Sequence, residues 1–136
     1  MFPMKISPYL SFNGNCAEAV AFYEKVFGVK ANIMRYKDAP ENVYQTPTGT
    51  ENFVMHAQLE IGGEAIMFSD MPPEYPVTVG DNITITVEFG DADVAKAAFE
   101  LLKADGKVHM ELGETFWSKC FGTVTDKFGI NWNITV

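Results

Sequence analysis

These 136 residues contain two imidazoles, His56 and His109, with Glu60 four residues after the first and Glu111 and Glu114 two and five after the second. Imidazole and carboxylate are the side chains that exchange protons near neutral pH and hold divalent transition metals. His56 with Glu114, and with Glu60 as a third member, would make a His/carboxylate site or an acid–base pair. Beside Glu114 stand Phe116 and Trp117, a pair able to stack on a flat ligand or to pack against a second subunit. Cys16 falls in the first turn of a predicted helix, where the dipole lowers a thiol pKa, but it has no His neighbour in the sequence. It reads as a structural cysteine, and Cys120, next to Phe121, reads as packing. The sequence has no G-x-S-x-G elbow for a serine nucleophile.

The elements that must position these groups follow from periodicity. Residues 7–12 form a short strand pattern with Leu10 and Phe12 on one face. Asn15 starts a helix, with Glu18 as its capping-box partner; Ala19, Phe22, Tyr23, Val26 and Phe27 follow helical spacing, and Gly28 suits the residue after the helix. Strands are predicted over 31–36, 53–61 and 64–69, the last two joined by a tight Gly62-Gly63 hairpin. The order then repeats: a strand over 82–89, a helix over 93–105 ending at Gly106, and strands over 107–112, 120–125 and 131–136. A shift of 77 positions brings Leu10 onto Val87, Phe12 onto Phe89, Ala21 onto Ala98 and Phe22 onto Phe99. The chain therefore reads as an α+β domain over 1–136 made of two β-α-β-β-β modules, about 5–70 and 80–136. A proline-rich connector over 71–79 joins them, and 38–52 reads as a mobile polar loop.

Strand alternation sorts the side chains into two faces. Leu10/Phe12, Met55/Ala57/Leu59/Ile61, Ile66/Phe68, Ile83/Ile85/Val87/Phe89 and Trp132/Ile134/Val136 should pack under the helices. The alternates are Ser7, Tyr9, Ser11, His56, Gln58, Glu60, Met67, Ser69, Thr84, Thr86, Glu88, Asn131, Asn133 and Thr135, a polar face mixed with Tyr and Met. If each sheet curls, that face lines a pocket; otherwise it meets water. On the pocket reading Tyr9, His56, Gln58, Phe116 and Trp117 are the substrate-binding candidates, while His109 reads as a surface residue. The Asp126-Lys127-Phe128-Gly129 run reads as a turn needing positive φ at Gly129.

Charge narrows the partners. Ten Lys and Arg against 18 Asp and Glu give −8, and Arg35 is the only arginine, which argues against nucleic acid and against a dedicated phosphonate clamp. No apolar run approaches the roughly 20 residues that span a bilayer, and no basic-then-apolar leader opens the chain. A soluble cytoplasmic protein, with neither nucleic-acid nor membrane partners, is the expectation.

The run Ser7-Pro8-Tyr9-Leu10-Ser11-Phe12-Asn13-Gly14-Asn15-Cys16, with Ala21-Phe22-Tyr23, Glu114-Thr115-Phe116-Trp117, Phe121-Gly122 and Thr125-Asp126-Lys127-Phe128-Gly129, resembles the PhnB-type proteins. These belong to the vicinal-oxygen-chelate superfamily, with glyoxalase I, bleomycin-resistance proteins and ring-cleaving dioxygenases. The resemblance implies paired βαβββ modules, curved mixed sheets around a cleft, and a homodimer.

It also implies where a metal would sit: on the first strand of each module and on the last strand. Here those positions hold Ser7, Thr84 and Asn133, two hydroxyls and a neutral amide, poor ligands for a divalent transition metal. The expectation is a protein that binds a small organic molecule without the usual metal triad or any cofactor, as bleomycin-resistance proteins do. The rival is a lyase-, isomerase- or oxygenase-type enzyme using His56 and Glu114 as acid–base groups or divalent-metal ligands. PhnB-like sequences also carry a ubiquinone-pathway methyltransferase label, but neither Gly62-Gly63 nor Gly113 belongs to a glycine-rich nucleotide loop.

Overall fold

The computed structural model describes residues 3–40, 46 and 48–136; residues 41–45 and 47 of the expected 38–52 loop lie outside them, as do residues 1 and 2 of the chain's start. The described residues divide into two compact units, Met1–Thr78 and Val79–Val136. Unit 1 contains β1 (Tyr9–Phe12), α1 (Cys16–Phe27), β2 (Asn32–Arg35), β3 (Val54–Ile61) and β4 (Glu64–Asp70). Unit 2 contains β5 (Ile85–Glu88), α2 (Ala92–Lys103), β6 (Lys107–Gly113), β7 (Phe121–Thr125) and β8 (Asn131–Thr135). The sheet orders are β1-β4-β3-β2 and β5-β8-β7-β6, so both units share one topology. In each, the first strand runs parallel to the last and the remaining pairs are antiparallel. The duplication is therefore architectural: an α+β chain of two βαβββ units with mixed four-stranded sheets.

In unit 1 the core includes Phe12, Val54, Ala57, Leu59, Ile66 and Phe68 from the sheet, against Cys16, Ala19, Val20, Tyr23 and Val26 of α1. Tyr23 stacks on Phe68 with ring centroids 5.7 Å apart. In unit 2 Val124, Trp132 and Ile134 meet Ala95, Ala98, Phe99 and Leu102 of α2. The first strands β1 and β5 and the helices α1 and α2 start 76 residues apart, and the buried helix positions Ala19/Ala95, Tyr23/Phe99 and Val26/Leu102 correspond at the same shift of 76, whereas the later strands correspond at smaller shifts. The expected Ala21/Ala98 and Phe22/Phe99 pairing is therefore one residue out.

Three local expectations are corrected. Asn15 makes no side-chain cap; Asp70, at the end of β4 and 2% exposed, accepts instead from the Gly14 and Cys16 N–H groups through Oδ1 (2.8 and 2.9 Å) and from Val54 N–H through Oδ2 (2.9 Å). Met55 is half-buried while Val54 is buried, because a bulge opposite Met34/Arg35 inserts one residue and shifts the alternation of β3. Ile83 is exposed because β5 starts two residues later, leaving the Ile83 carbonyl to accept from Asn131 Nδ2 at 3.0 Å.

The two inner hairpins differ between the units. Gly62 and Gly63 have φ of 59° and 84°, the mirror-image turn that matches strand twist. In unit 2 the turn is built on Asp126: Oδ1 accepts from Phe128 and Ile130 N–H, and Oδ2 accepts from Trp132 Nε1–H at 2.8 Å. Gly129 has the positive φ expected of it, 87°.

Candidate functional site

Each sheet has a face turned away from its helix, and cross-strand register defines a row along it. In unit 1 that row is Tyr9–Met67–Gln58–Asn32, across β1, β4, β3 and β2. In unit 2 the equivalent row is Thr86–Asn133–Thr123–Met110. The rows carry a phenol, thioethers, hydroxyls and neutral amides, and no imidazole or carboxylate.

His56 lies one step along β3 from the first row, half-buried, across from Met34 of β2. Its Nδ1 is 3.2 Å from the Tyr9 hydroxyl, and the two rings are tilted with centroids 5.8 Å apart. Tyr9, His56 and Gln58 thus share one face of unit 1. Glu114, Phe116 and Trp117 instead line a cavity of about 590 Å³ in unit 2, together with Phe89, Gly90 and Lys119. Buried Ser118 anchors this loop: its hydroxyl donates to carbonyl acceptors and accepts from Cys120 N–H at 3.1 Å. Phe116 at the loop tip is 97% exposed and meets Trp117 edge-on at 4.7 Å between centroids. Neither unit alone unites His56 with Glu114.

A second cavity of unit 2, about 450 Å³, lies over the polar face of its sheet. Thr84, Thr123, Thr125, Asn131, Asn133 and His109 supply its polar lining, and Asp81 is the acidic residue beside them. Asn133 Nδ2 donates to Thr86 Oγ1 at 3.2 Å across the parallel pair. His109 Nε2 is 2.7 Å from Thr125 Oγ1, which is 2.7 Å from Asn131 Oδ1. The His109 side chain reaches this face through a register shift between Val108 and Met110, where β6 has one residue more than β7.

Thr123, Thr125 and His109 are the cavity residues that the candidate set lacked. The alternation of Thr123 and Thr125 with Gly122 and Val124 carried a signal for the first two. Nothing in the spacing of β6 signals the bulge that aims His109.

Both cysteines are free thiols and buried. Burial, helped by the Asp70 carboxylate and opposed by Arg35, pushes the Cys16 thiol up to about 12, which makes it a packing group and not a nucleophile. The Arg35 guanidinium donates to the Asn52 carbonyl at 2.6 Å.

The metal positions implied by resemblance test poorly on donor chemistry. Thr84 and Asn133 line the 450 Å³ cavity, Ser7 precedes β1, and the register neighbours Tyr9, Met67 and Thr86 add no imidazole or carboxylate. Among the described residues no three His, Cys, Asp or Glu side chains stand together as a metal-holding group. These residues do not fit a divalent transition ion.

Two βαβββ units of one topology, each with a polar sheet face opposite its helix, define a class of small paired-module proteins. The chain belongs to the Glyoxalase/Bleomycin resistance protein/Dioxygenase superfamily, whose family model matches residues 5–134. It is 36% identical to Protein YjdN of Escherichia coli (strain K12) over 141 residues, covering 98% of this chain and 95% of that protein. The structure of protein PA1353 from Pseudomonas aeruginosa is similar with a TM-score of 0.86 and 36% identity, covering 98% and 97% of the two chains. A PhnB protein from Bacillus cereus, provisionally described as a 3-demethylubiquinone-9 3-methyltransferase, matches with a TM-score of 0.70 and 29% identity over 97% and 98% of the chains. No helix among the described residues is long and apolar enough to cross a membrane.

Proposed function

We propose that this protein binds a small, polar, uncharged organic molecule in the 450 Å³ cavity of unit 2, by hydrogen bonds and without a metal. One observation carries the reading: Thr84, Thr123, Asn131, Asn133 and His109 line a single cavity, and two of them, Thr84 and Asn133, stand where the resemblance would place metal ligands. Neutral hydroxyls and amides confer orientation and specificity on a ligand while giving a cation little to hold. Phe116 and Trp117, exposed in the neighbouring loop, are assigned to packing against a second copy of the chain in a homodimer or to stacking on a ligand. The free cysteines and the net charge of −8 favour a cytoplasmic protein without nucleic-acid partners. The methyltransferase description of the Bacillus cereus relative is not extended to this chain, which lacks a glycine-rich nucleotide loop. A phosphonate ligand is disfavoured too, since the lone arginine is engaged with the Asn52 carbonyl.

The rival reading is an enzyme of lyase, isomerase or oxygenase type, with His56 and Glu114 as acid–base groups or metal ligands. The Tyr9–His56 hydrogen bond favours a chemical role for His56. Thermal melts of metal-stripped protein separate the two readings. Manganese, nickel and zinc are expected to leave the melting temperature unchanged in wild type and in His56→Ala. A neutral organic ligand at about 100 times its dissociation constant adds roughly 2.7 kcal/mol, a shift of several degrees, and Asn133→Ala should remove it. A saturable cation-induced shift that disappears in His56→Ala would overturn the binder in favour of the metalloenzyme.

A further inference from the structure

We infer that His109 is the proton-accepting group of the unit 2 cavity, presenting an unprotonated Nδ1 to a ligand O–H or N–H. The inference rests on the cavity reading above and deepens it. Its basis is a hydrogen-bond chain whose direction is forced at every link. Asn131 bonds to the Ile83 carbonyl through one end of its amide; a carbonyl only accepts, so that end is the NH2 group and the other is Oδ1. Thr125 Oγ1, 2.7 Å from Oδ1, must therefore donate its single proton there. The same oxygen then accepts from His109, so Nε2 carries a proton. The neutral ring is left with a bare Nδ1, which has no protein partner among the described residues.

The chain holds Nε2–H in both protonation states, so proton traffic is confined to Nδ1 and the ring keeps its position. A ligand X–H hydrogen-bonds to Nδ1; if X–H is acidic enough, its proton moves to Nδ1, the ring becomes imidazolium, and X⁻ remains beside it until the proton returns. Thr125 and Asn131 are positioning residues, the role that an orienting partner plays for a working histidine. From β7 and β8 only neutral groups face the ring: Thr123, Thr125, Asn131 and Asn133. The charged groups nearby are Asp81 on the cavity wall and Lys107, which pairs with Thr125 from β6. The bulge that carries His109 to this face suits such a role, since bulges re-aim side chains next to active sites.

Long-range ¹H–¹⁵N spectra, assigned with His109→Gln, read the tautomer directly. Neutral His109 is expected as the Nε2–H form in wild type and in Thr125→Ser, and as a mixture of tautomers in Thr125→Val. An Nδ1–H form in wild type, or no change in Thr125→Val, overturns the inference. Phenol, titrated as an O–H donor, should move the His109 Nδ1 signal together with the Thr123 and Asn133 amides. Thr125→Val should weaken its binding about fivefold, the worth of one well-placed neutral hydrogen bond. If the amides respond and Nδ1 does not, His109 loses its role while the cavity keeps its ligand site. If neither responds, the inference fails together with the cavity reading.

Discussion

Replacing Asp70 should cost more stability than any surface acid, and the size of the loss follows from what its carboxylate holds. Asp70 is buried at the end of β4, and its two oxygens accept from three backbone N–H groups, those of Gly14, Cys16 and Val54, at 2.8 to 2.9 Å. These donors come from the start of α1 and the start of β3, so one side chain ties three segments of unit 1. In Asp70→Asn the amide oxygen still serves Gly14 and Cys16, but the NH2 group meets the Val54 N–H donor to donor. One buried donor left unpaired costs about 1–3 kcal/mol, and loss of charge assistance on the other two bonds removes about 1 kcal/mol each. The expected loss is about 3–5 kcal/mol, a large share of the roughly 5–15 kcal/mol available to a domain.

At about 3.5 °C per kcal/mol for a chain of this length, Asp70→Asn should melt about 10–17 °C lower. Both tryptophans belong to unit 2, so urea and thermal unfolding are followed by far-UV circular dichroism. Glu74→Gln, the same charge change at an exposed position, is the control and should stay within about 0.5 kcal/mol. If Asp70→Asn costs under about 1 kcal/mol with an unchanged denaturant slope, the carboxylate does not organise these segments and the argument is wrong.

Ser118→Ala should lose about 1–3 kcal/mol in urea unfolding by orphaning the buried Cys120 N–H, whereas Phe116→Ala, at a fully exposed tip, should change the midpoint by less than about 0.5 kcal/mol. Gly129→Ala should destabilise by about 1–3 kcal/mol, since φ is 87° and a methyl group would meet Val79 Cγ1 at 2.7 Å. Cys16 should resist a thiol reagent at pH 8 until the protein unfolds. Its folded pKa lies above the unfolded one, so its contribution to stability is intact below about pH 8.5 and declines as pH rises toward 12, where only the unfolded thiol has ionised. The urea midpoint should therefore fall more between pH 8 and 10.5 in wild type than in Cys16→Ala.

Alternation and helical spacing made most of the fold legible. The order of elements, the Gly62-Gly63 hairpin, the turn at Gly129 and the burial of Trp132 could be read directly. Illegible features were those where one residue breaks a period. The bulge at Met55 exchanges which of Val54 and Met55 enters the core, and the two helices correspond at a shift of 76 where the apolar pattern had suggested 77. Asp70 escaped notice because it caps a helix start 54 residues earlier in the chain. Local capping signals such as Asn15 and Glu18 say nothing about a carboxylate arriving from another strand.

The same logic explains why the site was harder to read than the fold. Both sheets keep their helix-facing residues apolar, because burial against α1 or α2 leaves little choice, and that constraint writes itself into the sequence. The opposite rows are free of it: at equivalent positions unit 1 carries Tyr9, Met67, Gln58 and Asn32, and unit 2 carries Thr86, Asn133, Thr123 and Met110. Since successive side chains on a strand point to opposite faces, the row can exchange imidazole and carboxylate for hydroxyl and amide without disturbing the core behind it. A family can thus keep its scaffold while the chemistry of its polar rows changes. Function here has to be argued from the row and from what a bulge adds to it, His109, rather than from the architecture that carries them.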